Sequence, residues 1–207
     1  MRKRAFDIVV GTVLAVLAVP VIAVAATGIV LTLRVPPFFW QERVGLRGRT
    51  FRFVKLRTLP TTFPCYADKA AVSQVRLPRF VATLRRLHLD ELPQLFLVPM
   101  GTMSLVGPRP EMPNLHAQLP PSFAAGRTAV RPGCTGLWQV GVDSVGLIGD
   151  APGYDQFYLE HRSLRLDLWI LAQTAGMLAG RGRSLTLADA ARFGRPAANS
   201  IGALETS

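Results

Sequence analysis

Acidic residues are scarce in this chain: 13 Asp and Glu stand against 24 Lys and Arg, a formal net charge of +11 over 207 residues. Such an excess seeks a polyanion, whether nucleic acid, anionic headgroups or a phosphorylated substrate. Cysteine is scarcer still, with only Cys65 and Cys134. They form neither a metal-ligand spacing nor a disulfide framework, so a reducing compartment is the default and both read as small packing residues. The three histidines, His88, His116 and His161, have no metal-ligand companions. No Gly-x-Gly-x-x-Gly, Walker loop or zinc spacing occurs, which excludes a Rossmann or P-loop grip on a nucleotide. Apolar residues are abundant: 49% of the chain is hydrophobic and its mean hydropathy is positive. That argues against a soluble nucleic-acid binder and for a membrane. The length suits one domain with a sizeable core plus a tail.

Charge is wholly absent from Ile8 to Leu33. A straight helix of that length would run about 39 Å, enough to cross a hydrocarbon core of about 30 Å. Pro20 lies almost at its midpoint, where it removes a backbone hydrogen bond and crowds the preceding turn. A helix broken there has halves of about 18–20 Å, too short to span alone. Basic residues stand on both sides, Arg2-Lys-Arg4 before and Arg34 after. A re-entrant hairpin keeps both on the cytoplasmic side, whereas a simple span puts one outside. Alternatives are a kinked spanning anchor and a cleaved signal peptide; Asp7 and the length of the apolar run oppose the latter.

The densest chemistry lies in Leu84-Arg-Arg-Leu-His-Leu-Asp-Glu-Leu-Pro-Gln-Leu95. Two adjacent acids, Asp90 and Glu91, sit among Arg76, Arg79, Arg85 and Arg86, with Gly107-Pro-Arg-Pro110 further on. Nearby cations favour ionised carboxylates, which suit a divalent metal or a nucleophile. The arginines suit phosphate oxygens, because a guanidinium presents a planar fork of donors. The same acids also fit an ordinary helix start, with Asp90 capping and Pro93 in the first turn.

Around this motif the chain reads as mixed α and β. Phe38–Val44 and 49–57 flank the turn Gly45-Leu-Arg-Gly48 and predict a β-hairpin. Residues 59–78 hold Pro60, Pro64 and Pro78 and read as loop. A helical face over Arg79–Leu89 precedes a second helix expected from Asp90 through Val98. Pro108 and Pro110 hold Arg109 in an extended segment. Tyr154–Leu178 reads as one helix, on which Asp155 and Asp167 are too far apart to share a small site unless it is interrupted. From Arg181 onward composition turns to Ala, Gly, Arg and Ser, predicting a largely disordered tail with a short helix at 186–192.

Five blocks in order carry a resemblance: Phe39-Trp-Gln-Glu-Arg-Val-Gly45, Phe53-Val-Lys-Leu-Arg-Thr58, Leu89-Asp-Glu-Leu-Pro-Gln-Leu95, Met103-Ser-Leu-Val-Gly-Pro-Arg-Pro-Glu111 and Arg131-Pro-Gly-Cys-Thr-Gly-Leu-Trp-Gln-Val140. Together they resemble the bacterial sugar transferases, monotopic polyprenyl-phosphate phosphoglycosyl transferases, from about Lys3 to Thr174. Asp155, Tyr158, Asp167 and Thr174 match the same pattern. The resemblance implies transfer of a sugar-1-phosphate from a UDP-sugar to polyprenyl phosphate, with release of UMP. It implies Asp90 as nucleophile and Glu91 as its neighbour, the two holding Mg²⁺. It further implies that Lys55, Arg57, Arg85, Arg109 and Arg131 grip phosphate oxygens.

The fold expected is α+β and mainly helical: a re-entrant membrane helix broken at Pro20 in residues 1–34, then a cytoplasmic-face catalytic domain over 35–180. That domain holds a small β-hairpin and interfacial amphipathic helices, and a tail follows over 181–207. The expected location is the inner membrane. Expected partners are the UDP-sugar donor, the polyprenyl phosphate acceptor and membrane lipids, with nucleic acid excluded and homo-oligomerisation left open. Departures from the pattern occur at Leu97, Met100, Thr102 and Val142 and at Gln74-Val-Arg76, where an acid is missing. They motivate an alternative, a catalytically degenerate scaffold that binds polyprenyl phosphate. No residue distinguishes a hexose from an N-acetylated sugar.

Overall fold

The computed structural model describes residues 2–63, 75–182 and 184–193. Cys65, Gln74 and the tail beyond 193 lie outside them. The architecture is α+β and mainly helical, as expected. Helix α1, Arg2–Leu33, is followed by an antiparallel hairpin of β1, Phe38–Val44, and β2, Thr50–Leu56. Register runs from Phe38 opposite Leu56 to Val44 opposite Thr50, with Arg47 and Gly48 at positive φ in the turn. Helix α2, Arg79–Arg86, leads through His88 into a 3-10 segment, Leu89–Leu97. Next come β3, Ser104–Val106; α3, Pro113–His116; α4, Pro121–Thr128; and β4, Gly133–Thr135, which pairs parallel with β3. Helices α5, Gly153–His161, α6, Leu164–Leu178, and α7, Leu187–Ala191, close the described chain.

Three sequence-based expectations need correction. First, α1 is a single helix through Pro20 rather than two helices joined by a turn. Ala18, Ile22, Ala25 and Ile29, on both sides of the proline, pack into one apolar cluster with Leu56 and Leu84. That shared footing holds the helix together while proline removes only one hydrogen bond. Second, the segment from Leu89 is 3-10 rather than α-helical. The helical segment begins one residue early, at Leu89, where α geometry would bring the Pro93 ring against the Leu89 carbonyl, and the tighter winding avoids this. Third, the long C-terminal helix is two helices, because Ser163 caps α6 by accepting a hydrogen bond from the Leu166 amide at 3.2 Å. Within residues 184–193, Leu185 forms a β-bridge with Gly141, and Ala190 of α7 is buried. The short helix expected at 186–192 is there.

Helix α1 buries a narrow stripe, Asp7, Gly11, Ala15, Ala18, Ile22, Ala25 and Ile29, spaced three or four residues apart. One helical face therefore meets the body. Its other faces expose large apolar side chains, including Val16, Leu17, Val24 and Leu31. Both ends of the helix are tied to the same body. At the start, Arg4 donates to the Val98 and Pro99 carbonyls at 2.8 and 3.0 Å. Lys3 pairs with Asp167 at 2.8 Å, and Asp7 accepts from the Ser104 hydroxyl at 2.7 Å and the Leu105 amide. At the other end, Gly28 lies against the Phe80 ring and Ile29 is fully buried.

Candidate active site

The site is a cavity of about 760 Å³ between the hairpin, the 3-10 segment and the strap 107–115. Strand alternation puts Phe53, Lys55 and Arg57 on one face of β2. Lys55 and Arg57 line the cavity, and the Lys55 ammonium sits 5.5 Å from the Phe53 ring centre. His88, left-handed at φ 54°, turns the chain from α2 into the 3-10 segment and so presents Asp90 and Glu91 from its first turn. Arg85, from the last turn of α2, also lines the cavity.

Arg109 is held by an unusually complete set of backbone bonds around it. The Gly107 amide donates to the Thr135 carbonyl, and the Pro108 carbonyl accepts from the Gly133 amide. The Arg109 carbonyl accepts from Arg127 at 2.6 Å and the Pro110 carbonyl from Arg43 at 3.1 Å. The Glu111 carbonyl accepts from the Val44 amide at 2.9 Å. Close approach of the two strands explains glycine here. A Cβ on Gly107 would stand 2.6 Å from the Arg131 carbonyl oxygen, and one on Gly133 would collide with the Gly107 backbone. Arg127 is itself fixed by a buried ion pair with Asp155 at 2.7 Å.

The two acids meet different fates. Glu91 is clamped: Lys55 donates to it at 3.1 Å, and Arg109 reaches both of its oxygens, at 3.0 and 3.5 Å. Burial alone would raise its pKa, but the Arg109 and Lys55 cations outweigh burial and hold it well below the usual range. Asp90 is buried and makes no hydrogen bond or ion pair to the described residues. Burial and then the Glu91 charge push it up to about 6, against Lys55, Arg85 and His88. Desolvation thus outweighs the neighbouring cations at Asp90, yet a value of about 6 leaves its carboxylate ionised at neutral pH. Burial draws the Lys55 ammonium below its ordinary value, whereas Glu91 raises that of Arg109.

Of the sequence-predicted residues, Asp90, Glu91, Lys55, Arg57, Arg85 and Arg109 come together. Arg57 spends part of its guanidinium on the Pro36 and Phe38 carbonyls. Arg131 does not join them: it donates to the Gly101 carbonyl at 2.7 Å and lines no part of the cavity. Asp155 and Asp167 do not share a site despite the helix break; each holds a cation, Arg127 and Lys3. Leu97, Met100, Thr102 and Val142 also stand away from the cavity wall. Arg127 and Arg43 went unseen in the sequence, because spacing does not reveal which carbonyl an arginine will meet.

Among the described residues no three Asp, Glu, His or Cys side chains gather to hold a metal ion. Two adjoining carboxylates fit Mg²⁺ bound jointly with substrate phosphates, since that ion commonly takes only one or two protein carboxylates.

The family model described as bacterial sugar transferase matches residues 1–181. The chain belongs to the bacterial sugar transferase family. It is 38% identical over 191 residues to the UDP-glucose:undecaprenyl-phosphate glucose-1-phosphate transferase of Caulobacter vibrioides, covering 86% of this chain and 70% of that protein. The Xanthomonas campestris protein of the same name is 36% identical, over 82% of this chain and 38% of its own length. The Aeromonas hydrophila UDP-N-acetylgalactosamine-undecaprenyl-phosphate N-acetylgalactosaminephosphotransferase is 35% identical, over 83% and 42%. This bacterial sugar transferase thus spans less than half the length of two of these three relatives.

Proposed function

We propose that the chain transfers a sugar-1-phosphate from a UDP-sugar to polyprenyl phosphate at a membrane surface, releasing UMP, as a first step in surface-glycan assembly. The observation that carries this reading is the contrast between the acids: Asp90 unpaired among the described residues in a cationic cavity, Glu91 clamped beside it. An Asp90 oxygen attacks the β-phosphorus of the donor. An Asp90–phosphorus bond forms as the bond from phosphorus to the bridging oxygen breaks, and the electron pair leaves on UMP. The acceptor's phosphate oxygen then displaces Asp90, regenerating the carboxylate. A carboxylate nucleophile splits one difficult displacement into two easier ones.

Arg109, Arg85 and Lys55 supply positive charge where phosphate oxygens gather negative charge, and the fixed strap keeps Arg109 from having to reorganise. Arg57 adds charge at the cavity's edge. Asp90 and Glu91 would hold Mg²⁺, which when bound neutralises pyrophosphate charge. The exposed apolar faces of α1 lie in lipid, with both of its ends on the cytoplasmic side of the inner membrane. Binding of both ends to one body supports this monotopic placement. A spanning helix would carry one end away. The bilayer then delivers the acceptor's phosphate to the cavity level while its tail stays in lipid.

UMP release by the purified, lipid-reconstituted protein with polyprenyl phosphate, Mg²⁺ and a panel of UDP-sugars tests the reading. Release with at least one donor, lost in Asp90→Asn, is expected. A protein that releases UMP from no donor contradicts it.

A further inference from the structure

Glu111 is a third acid in the cavity wall, and the chemistry above does not use it. Its residue is only 9% exposed, and its side chain makes no hydrogen bond or ion pair to the described residues. Each neighbouring arginine is already committed. Arg109 is bound to Glu91, Arg127 to Asp155 and the Arg109 carbonyl, and Arg43 to Gln41 and the Pro110 carbonyl. With no hydrogen bond to the described residues and its side chain on the cavity wall, the Glu111 carboxylate is open to a ligand that enters the cavity.

Position narrows the ligand. Glu111 lines the cavity from the strap, with Met112, Asn114 and Leu115, whereas Asp90 and Glu91 enter it from the 3-10 segment. It does not gather with Asp90 and Glu91 into a three-ligand metal site. Its backbone is fixed by the Val44 amide, and the exposed Asn114 lines the wall one turn further on. An acceptor-only group on the cavity wall suits hydroxyl donors.

Resting on the transferase reading, we propose that Glu111 selects the donor: its carboxylate accepts hydrogen bonds from hydroxyl groups of the nucleotide sugar. Those hydroxyls come from the sugar or from the ribose. A site built to hydrogen-bond a hydroxyl rejects an analogue lacking it, because the buried acceptor is then left unpaired.

Equilibrium binding separates this from catalysis. Full-length protein in lipid nanodiscs is titrated with UDP-glucose, UDP-galactose, UDP-N-acetylglucosamine and 2′-deoxy-UDP-glucose, for wild type, Glu111→Gln and Glu111→Ala. The expected result is that wild-type preference among donors shrinks roughly tenfold or more in Glu111→Ala. Glu111→Gln, which keeps an acceptor oxygen, retains part of it. Loss of preference among the sugars assigns Glu111 to the sugar; loss of preference for ribose over 2′-deoxyribose assigns it to the ribose. Affinity ratios are insensitive to the fraction of protein folded, so a merely structural role would leave them alone. Unchanged ratios overturn the proposal while the transferase reading stands. So does a change confined to Mg²⁺ dependence. Wild-type protein that binds no UDP-sugar overturns both.

Discussion

Asp90 and Glu91 adjoin in sequence, yet among the described residues the first has no partner and the second is held by two cations. An ionised Asp90 is thus the costly partner, its pKa pushed up to about 6 by burial and the Glu91 charge. For a carboxyl raised in the folded state, ionisation weakens folding as pH climbs from about 4 to about 6, and the cost is fully present above that. Asp90→Asn removes it. We expect the variant to be more stable than wild type by about 1–3 kcal/mol at pH 8, the advantage fading below pH 4. Thermal denaturation at the two pH values checks this, and a lower Tm for the variant at pH 8 contradicts it. Residue chemistry pointed to the acids and Arg109 as a phosphate site, and the family resemblance brought Lys55 to it. The sequence did not show that Asp90 is desolvated, which depends on how β2 and the strap close over it. Nor did it show that Arg131 turns away to the Gly101 carbonyl.

At the scale of elements, the hairpin was legible because alternating β-prone runs flanked a glycine turn. The 3-10 segment was not, since Pro93 also fits the first turn of an α-helix. The division between α5 and α6 had a readable signal in Ser163, hidden within a continuous apolar pattern. Pro20 shows a local rule overridden by packing: the stripe from Asp7 to Ile29 rests on one body and keeps α1 whole. Both ends of that helix being tied down has a topological consequence. Single cysteines at Arg2 and Arg34, in a background with Cys65 and Cys134 replaced by alanine, should both resist a membrane-impermeant maleimide in intact cells. Both should react in inside-out vesicles. Labelling of either one from outside would show a spanning helix.

Across the whole molecule, one apolar cluster under α1 and a larger one behind the cavity share β2 and the 3-10 segment as their common wall. That wall joins the apolar helix α1 to the charged site, so on the proposed reading a hydrophobic acceptor tail and an anionic headgroup can be served by one fold. The excess positive charge noted in the sequence finds its use partly here and partly in the arginines that brace the strap. The measurement that bears most directly on this arrangement is a trapping experiment without acceptor. Protein is incubated with Mg²⁺ and a UDP-sugar labelled at the β-phosphorus, then digested and mapped by mass spectrometry. A phosphosugar on the Asp90 peptide is expected, absent from Asp90→Asn and removed on adding polyprenyl phosphate. Turnover that needs the acceptor from the start and leaves no phosphosugar on the protein would contradict Asp90 as the nucleophile.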